Sequence, residues 1–414
     1  MKSKMKGATA LLATAAAAAG IVGGTLATAL PASAGTQNFA FNAVGSDTIF
    51  CVDNAVAPKY NTAQKKTTGN KVFNTPPVLG SNATGCLPSM PTSYTVSADS
   101  VHSAITYNTT TNLPPNGSSA GISAVVADNG AGNIAYARSS RGRKSSDPTN
   151  IDFWAFALDG LSWAGYSSLA PANLTATQIQ QIYNCTITDW HTVNPSAPTG
   201  STIHLYYPQV GSGTGSFFAT LFLNGVYPTS TPSCPVSFVE ENNGSEVTAA
   251  NYPTPPNPPV SGAADPNGIS PYSFAVWTAQ KNASTTGETD LRNGATLGSV
   301  NGTAVTTTSI SETEAFANIT GDACTSTPVK GAFCGSRYVY HVTDQQLGAN
   351  QPTYQAAILG QVGVPSSGTA TTGYCGNKYK STITLFGFKA LTLKTTAQST
   401  SSDPVPGSSY CRQF

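Results

Sequence analysis

Charged side chains make up only 9% of this chain, 20 Lys+Arg against 19 Asp+Glu in 414 residues. So even and sparse a balance excludes the basic surface that a nucleic acid or an anionic membrane requires. Histidine is scarcer still. His102, His191, His204 and His341 are scattered, and no Cys-x-x-Cys pair occurs, so neither a metal site nor a redox motif takes shape. No metal and no cofactor is expected. The glycine turns lack the Gly-Lys-Ser/Thr of a Walker loop, and Ser212 lacks the Gly-x-Ser-x-Gly spacing of a nucleophile elbow. Beyond residue 34 no apolar run is long enough to span a bilayer.

What the chain has begins at its start. Lys2, Lys4 and Lys6 precede an alanine-rich apolar run from Ala8 to Leu30, which closes on Ala32-Ser33-Ala34 before Gly35. Residues 1–34 read as a cleaved secretory signal peptide. No Cys follows the run to take a lipid and no twin Arg precedes it, so a secreted protein without a membrane anchor is expected. Removing residues 1–34 leaves 17 Lys+Arg and 19 Asp+Glu, a net charge of 17 − 19 = −2. The remaining length suggests two domains. Eight cysteines after an export signal read as four disulfides, paired by proximity as Cys51–Cys86, Cys185–Cys234, Cys324–Cys334 and Cys375–Cys411.

The most telling stretch runs from Leu205 to Phe218. An apolar run ends, Gly211-Ser212-Gly213-Thr214-Gly215 turns tightly, and Phe217, Phe218, Leu221 and Phe222 recur at helical spacing up to a capping Gly225. Ser212 and Thr214 can cap that helix, and its first N–H groups point at whatever sits over the turn. A second unit of this design starts at Asn38–Val44, an alternating strand. Gly45-Ser46-Asp47-Thr48 breaks it, and Ile49, Val52, Ala55 and Val56 follow at helical spacing. Residues 62–116 read as loop-rich. After a short strand at Gly132–Ala137, four cations crowd into Arg138–Lys144. A run like that is either a solvated loop or a source of one Arg turned inward to an anion. Asp152–Tyr166 reads as a buried strand or interdomain segment, and Thr175 with Gln178 forms a capping box for a helix through Tyr183. Residues 251–271 are a Pro-rich connector with no core of their own, and the last 140 residues are short strands and turns.

Two capped turns and an Arg-bearing loop fit one small anion held by backbone nests. A capped helix without ligand, a secreted hydrolase, and a carbohydrate-binding or structural surface protein stand as alternatives.

Three blocks match a known pattern: Ile134–Arg141, then Asn173-Leu174-Thr175 through Ile182-Tyr183-Asn184-Cys185-Thr186-Ile187-Thr188-Asp189-Trp190, then Gly211–Phe218. They resemble the substrate-binding proteins of phosphate uptake ABC transporters, in order and in spacing, over residues 39–280. The resemblance implies an α/β fold of the type 2 periplasmic-binding-protein kind, two domains joined by two crossovers with a ligand cleft between them. It implies domain I at 35–162 with 270–414, domain II at 163–269, and a monomer that delivers phosphate or a related oxyanion to a permease. Carried over by position, the phosphate-binding residues are Ser46 and Thr48, then Ser139 and Ser140, then Ser212, Gly213 and Thr214, and Gly45 and Asp47 of the first turn are added to the expected site. The family's carboxylate near Ser140 is here Ser, and the family's Arg before the third turn is here Pro208-Gln209. Arg138 and Asp47 are the expected replacements, Arg138 as the ligand's cation and Asp47 as acceptor of its hydrogen or as a mere helix cap.

Overall fold

The computed structural model describes residues 41–63, 71–80, 86, 91–99, 102–319, 324, 329–345, 379–391 and 412–413. The expected signal peptide and the pair Cys375–Cys411 lie outside the described residues.

Strand β1 (Phe41–Gly45) leads into helix α1 (Asp47–Ala63) and β2 (Val72–Asn74). The antiparallel pair β3 (Ser93–Val96) and β4 (Ile105–Asn108) precedes α2 (Ser118–Asp128) and β5 (Tyr136–Ser139). The chain continues through β6 (Ile151–Gly165), β7 (Asn173–Leu174) and α3 (Ala176–Tyr183). Next come β8 (His204–Pro208), α4 (Gly213–Phe222) and β9 (Val236–Val239). Then follow β10 (Gly268–Ser273), α5 (Phe274–Lys281) and α6 (Ala283–Thr286). The last part holds β11 (Thr296–Leu297), β12 (Ser299–Val300), α7 (Glu312–Ala317) and β13 (Ser336–Asp344). It ends with α8 (Lys380–Leu385), β14 (Lys389–Ala390) and β15 (Arg412–Gln413).

One sheet runs β2-β1-β5-β13-β6-β10-β8-β9. Its two outer thirds, β2-β1-β5 and β10-β8-β9, are parallel. Helices α1, α2 and α4 each follow or precede such a strand, the α/β arrangement in which strand ends and helix starts converge. The middle is antiparallel, and β6 is its spine. All fifteen residues of β6 are buried, and apart from Asp152, Asp159 and Ser162 the run is apolar or glycine, with no alternation. Up to Gly160 it pairs with β13, and from Leu161 onward with β10.

Local chemistry explains most of these elements. Thr175 Oγ1 accepts the Gln178 N–H at 3.1 Å while Gln178 Oε1 accepts the Thr175 N–H at 2.8 Å, closing the expected capping box of α3. Ile179, Ile182 and Tyr183 of α3 pack with Phe218, Leu221 and Phe222 of α4 in the largest apolar cluster. A second cluster sets Ile49, Val52 and Val56 of α1 against Trp154, Phe156 and Ile383. Three of the proximity pairs are joined: Cys51–Cys86, Cys185–Cys234 and Cys324–Cys334, with Cα–Cα distances of 5.3, 5.7 and 5.0 Å.

The loop-rich residues 62–116 also hold the short strands β2, β3 and β4. Two expectations need correction. The last 140 residues are not all short elements, because β13 is a nine-residue buried strand at the centre of the sheet. Nor is the Pro-rich stretch coreless: Asn251 is fully buried, and its amide donates to Glu246 O and Val260 O, both at 2.7 Å. That clasp, with Tyr252 stacked on His204, folds the stretch back on β8. Among the described residues no helix is long and apolar enough to cross a membrane.

Candidate functional site

Because β1 and β5 are parallel neighbours, their C-terminal ends lie together, and each opens into a hydroxyl-bearing turn. Gly45 takes φ +97° at the first turn, and a Cβ there would stand 2.9 Å from Arg138 O. Ser46 Oγ then donates to Ser140 Oγ at 3.2 Å. The third turn, after β8, caps α4 as its spacing implies: Ser212 Oγ accepts the Gly215 N–H at 2.9 Å. Thr48 Oγ1 and Thr214 Oγ1 meet at 3.0 Å across the turns. Gly213 is what lets them close, since a Cβ at that position would overlap Ser118 Oγ and Ser140 Oγ.

Ser118 belongs to a fourth turn that the sequence reading passed over. Gly117-Ser118-Ser119 opens α2, and Ser118 Oγ accepts the Ser140 N–H at 2.9 Å and lies 3.3 Å from Ser140 Oγ. The signal was there, glycine and hydroxyls before Ile122 and Val125 at helical spacing, the same design as the two turns that were read. Ser46, Ser118, Ser140, Ser212 and Thr214 are all fully buried.

A carboxylate sits among these donors. Glu241 Oε1 accepts from the Thr48 N–H and from Thr48 Oγ1, both at 3.4 Å. Glu241 Oε2 accepts from the Thr214 N–H at 3.2 Å and from the Ser212 hydroxyl. Two of these four donors are first-turn N–H groups of α1 and α4, where the helix dipole favours negative charge. The arrangement can therefore hold an anion by neutral donors alone.

The cations are distributed differently from expectation. Arg138 is fully buried, so the basic run is no solvated loop, but its guanidinium faces the protein itself. It donates to Ala43 O and Gly45 O at 2.9 Å, to Thr75 O at 2.8 Å and to Ser46 O at 3.3 Å. Arg141 pairs with Asp147 at 2.7 Å. The cation beside the turns is Arg337 of β13, which donates to Ser140 O at 3.0 Å and to Thr214 Oγ1 at 3.2 Å. Asp159 of β6 fixes it with bonds of 3.0 and 2.8 Å, and Asp159 is itself held by Ser273 Oγ and the Ala275 N–H.

Asp47 points away from the hydroxyls, towards Gln209 Nε2 at 3.4 Å, and its Oδ1 is buried without a hydrogen bond. Burial, and then the charge of Glu240, push its carboxyl well above the usual range. Burial pushes Glu240 upward too, although Gln209 and Asn116 donate to it at 2.7 and 3.0 Å. Gln209 thus stands where the family's Arg was looked for and bridges acids. Ser139 also turns away, donating to Arg141 O at 2.8 Å. Of the positions read from sequence, Ser46, Thr48, Ser140, Ser212, Gly213 and Thr214 come together. Ser118, Glu241, Arg337 and Asp159 were not read. Arg337 and Asp159 lie in buried strands, and Glu241 precedes Asn242-Asn243-Gly244, a turn signal that the sequence reading passed over. Among the described residues no group of three or more His, Cys, Asp or Glu is placed to hold a metal.

A family profile described as a PBP superfamily domain matches residues 92–356. No curated protein matches the chain. Among solved structures, an ABC-type phosphate transport receptor from Vibrio cholerae is similar at 16% identity and a TM-score of 0.47, over 84% of this chain and 99% of that one. A phosphate-binding protein from Stenotrophomonas maltophilia is similar at 16% identity and a TM-score of 0.42, over 86% and 91% of the two chains.

Proposed function

Because the chain belongs to the PBP superfamily domain family, a family of solute-binding proteins, we propose that it binds a small oxyanion, orthophosphate foremost, where the starts of α1, α2 and α4 meet. One observation carries this reading: the four donors of Thr48, Ser212 and Thr214 already hold a carboxylate. Donors that satisfy one anion's oxygens suit another's. Ser46, Ser118 and Ser140 supply further hydroxyls, and Arg337 supplies the charge assigned earlier to Arg138. Gly45 and Gly213 give the backbone its close approach. The protein works outside the cell after loss of residues 1–34, handing its ligand to a permease.

The site lies between a domain of residues 35–162 with 270–414 and a domain of residues 163–269, which close on the ligand. The change of β6's partner at Gly160–Leu161 supports a hinge there, near the boundary read from sequence. Calorimetric titration of the mature protein with orthophosphate and with sulfate tests the proposal. Saturable heat with orthophosphate is expected. Thr48→Ala or Ser140→Ala should weaken it about 10-fold or more, as for a hydrogen bond to a charged group. Flat heats with both anions would sink the proposal.

A further inference from the structure

Glu241 follows β9 in the loop before the turn Gly244–Glu246, outside every hydroxyl turn described above. Side chains rather than a strand ladder hold that loop. The Glu241 N–H donates to Gln209 Oε1 at 2.8 Å, and Asn242 Oδ1 accepts the Ser273 N–H at 2.8 Å. The acids nearest to it, Asp47 and Glu240, repel a carboxylate in that place. What offsets this repulsion is the set of donors, two backbone N–H groups and two hydroxyls, all buried with it.

We infer that Glu241 is an intramolecular ligand of the oxyanion site, and that an external oxyanion binds by displacing it. The inference rests on the oxyanion reading above. Its geometry also decides which anions succeed. A carboxylate has two oxygens in a plane, and those of Glu241 already engage the donors of Thr48, Ser212 and Thr214. Acetate would only repeat these contacts, against a rival tethered at an effective concentration on the order of millimolar or higher. A tetrahedral oxyanion brings two further oxygens. Against Gly213, which lies between the donors Ser212 and Thr214, stand the hydroxyls of Ser118 and Ser140, with Ser46 bonded to Ser140, and their mutual spacings of 3.2 and 3.3 Å are long for O–H···O bonds. They gain more from an incoming oxygen than they lose to each other. Glu241 therefore sets a threshold that small carboxylates fail and tetrahedral dianions pass, which is specificity obtained by a built-in competitor.

The test is calorimetric titration of orthophosphate, sulfate and acetate into the mature chain and into its Glu241→Ala variant. Glu241→Gln, which keeps the shape and removes the charge, guards against a folding defect in the first variant. Orthophosphate should bind Glu241→Ala at least 10-fold more tightly than wild type, with Glu241→Gln moving in the same direction. Acetate should bind Glu241→Ala and not wild type, because it fills the donors left by the missing side chain. Orthophosphate binding that is unchanged or weaker in both variants overturns the inference while leaving the oxyanion reading intact, and makes Glu241 part of the bound anion's own shell. If orthophosphate and sulfate bind none of the three proteins, the oxyanion reading itself fails, and the displacement fails with it.

Discussion

Arg138 shows how a residue type can be read correctly as inward-facing and wrongly as ligand-facing. Its guanidinium donates to four backbone carbonyls that shape the end of β1 and the start of β2's following loop. Buried carbonyls left without a donor cost about 1–3 kcal/mol each. Arg138→Ala should therefore lose more than about 3 kcal/mol of stability in urea unfolding, with Arg138→Lys recovering little because Lys lacks the planar fork. A purely affinity-altering phenotype would contradict this assignment. Glu288 offers a different test. It is buried, its Oε2 has no hydrogen bond, and burial alone raises its carboxyl from 4.5 to about 8. The folded state then holds a proton that the unfolded state has released between those two values. Its contribution is therefore complete below pH 4.5 and lost as pH rises towards 8. Glu288→Gln should remove that loss, flattening the fall in stability by up to about 1.4 kcal/mol per pH unit across the window. Equal pH profiles for the variant and the wild type would refute this role.

At the scale of elements, helix starts do the positioning, and they were the most legible part. The strand, glycine-hydroxyl turn and helix pattern around Gly45–Thr48 and Gly211–Gly215 follows from capping and backbone approach, both local properties. Local properties are what a sequence exposes. Arg337 and Glu241 were illegible for the converse reason. Each reaches the site from a segment far along the chain, and only the pairing of β13 with β6, and the loop after β9, bring them there. The central strand β13 was itself underread, although Tyr338, Tyr340 and Val342 alternate with Arg337, Val339 and His341. Both faces of β13 are buried, so Arg337, His341 and Thr343 form a polar side that meets protein instead of solvent. Gly213→Ala tests the element-level reading. The added methyl would press Ser118 and Ser140 away from α4, so orthophosphate affinity should fall by about 10-fold or more while the far-ultraviolet circular dichroism stays unchanged. Wild-type affinity in that variant would show that the turns need not close so tightly.

For the whole molecule, the α/β class could be anticipated from the family resemblance, and the three disulfides among described residues from the even cysteine count and proximity along the chain. The order of the sheet could not, since β13 crosses from the C-terminal part into a gap between β5 and β6. Closure of the proposed domains is a whole-molecule property too. Small-angle scattering at saturating orthophosphate should show a smaller radius of gyration than the ligand-free protein, and identical profiles would count against hinge closure. The place of β13 also bears on how the protein is made. Until residues 336–344 have been synthesised, β5 and β6 each present an unpaired edge, and Arg337 has not reached Asp159. The sheet is thus a zip whose slider arrives late in translation. A nascent chain stopped before Ser336 would hold the hydroxyl turns but expose two strand edges, so aggregation is expected of truncated chains and not of the full-length product.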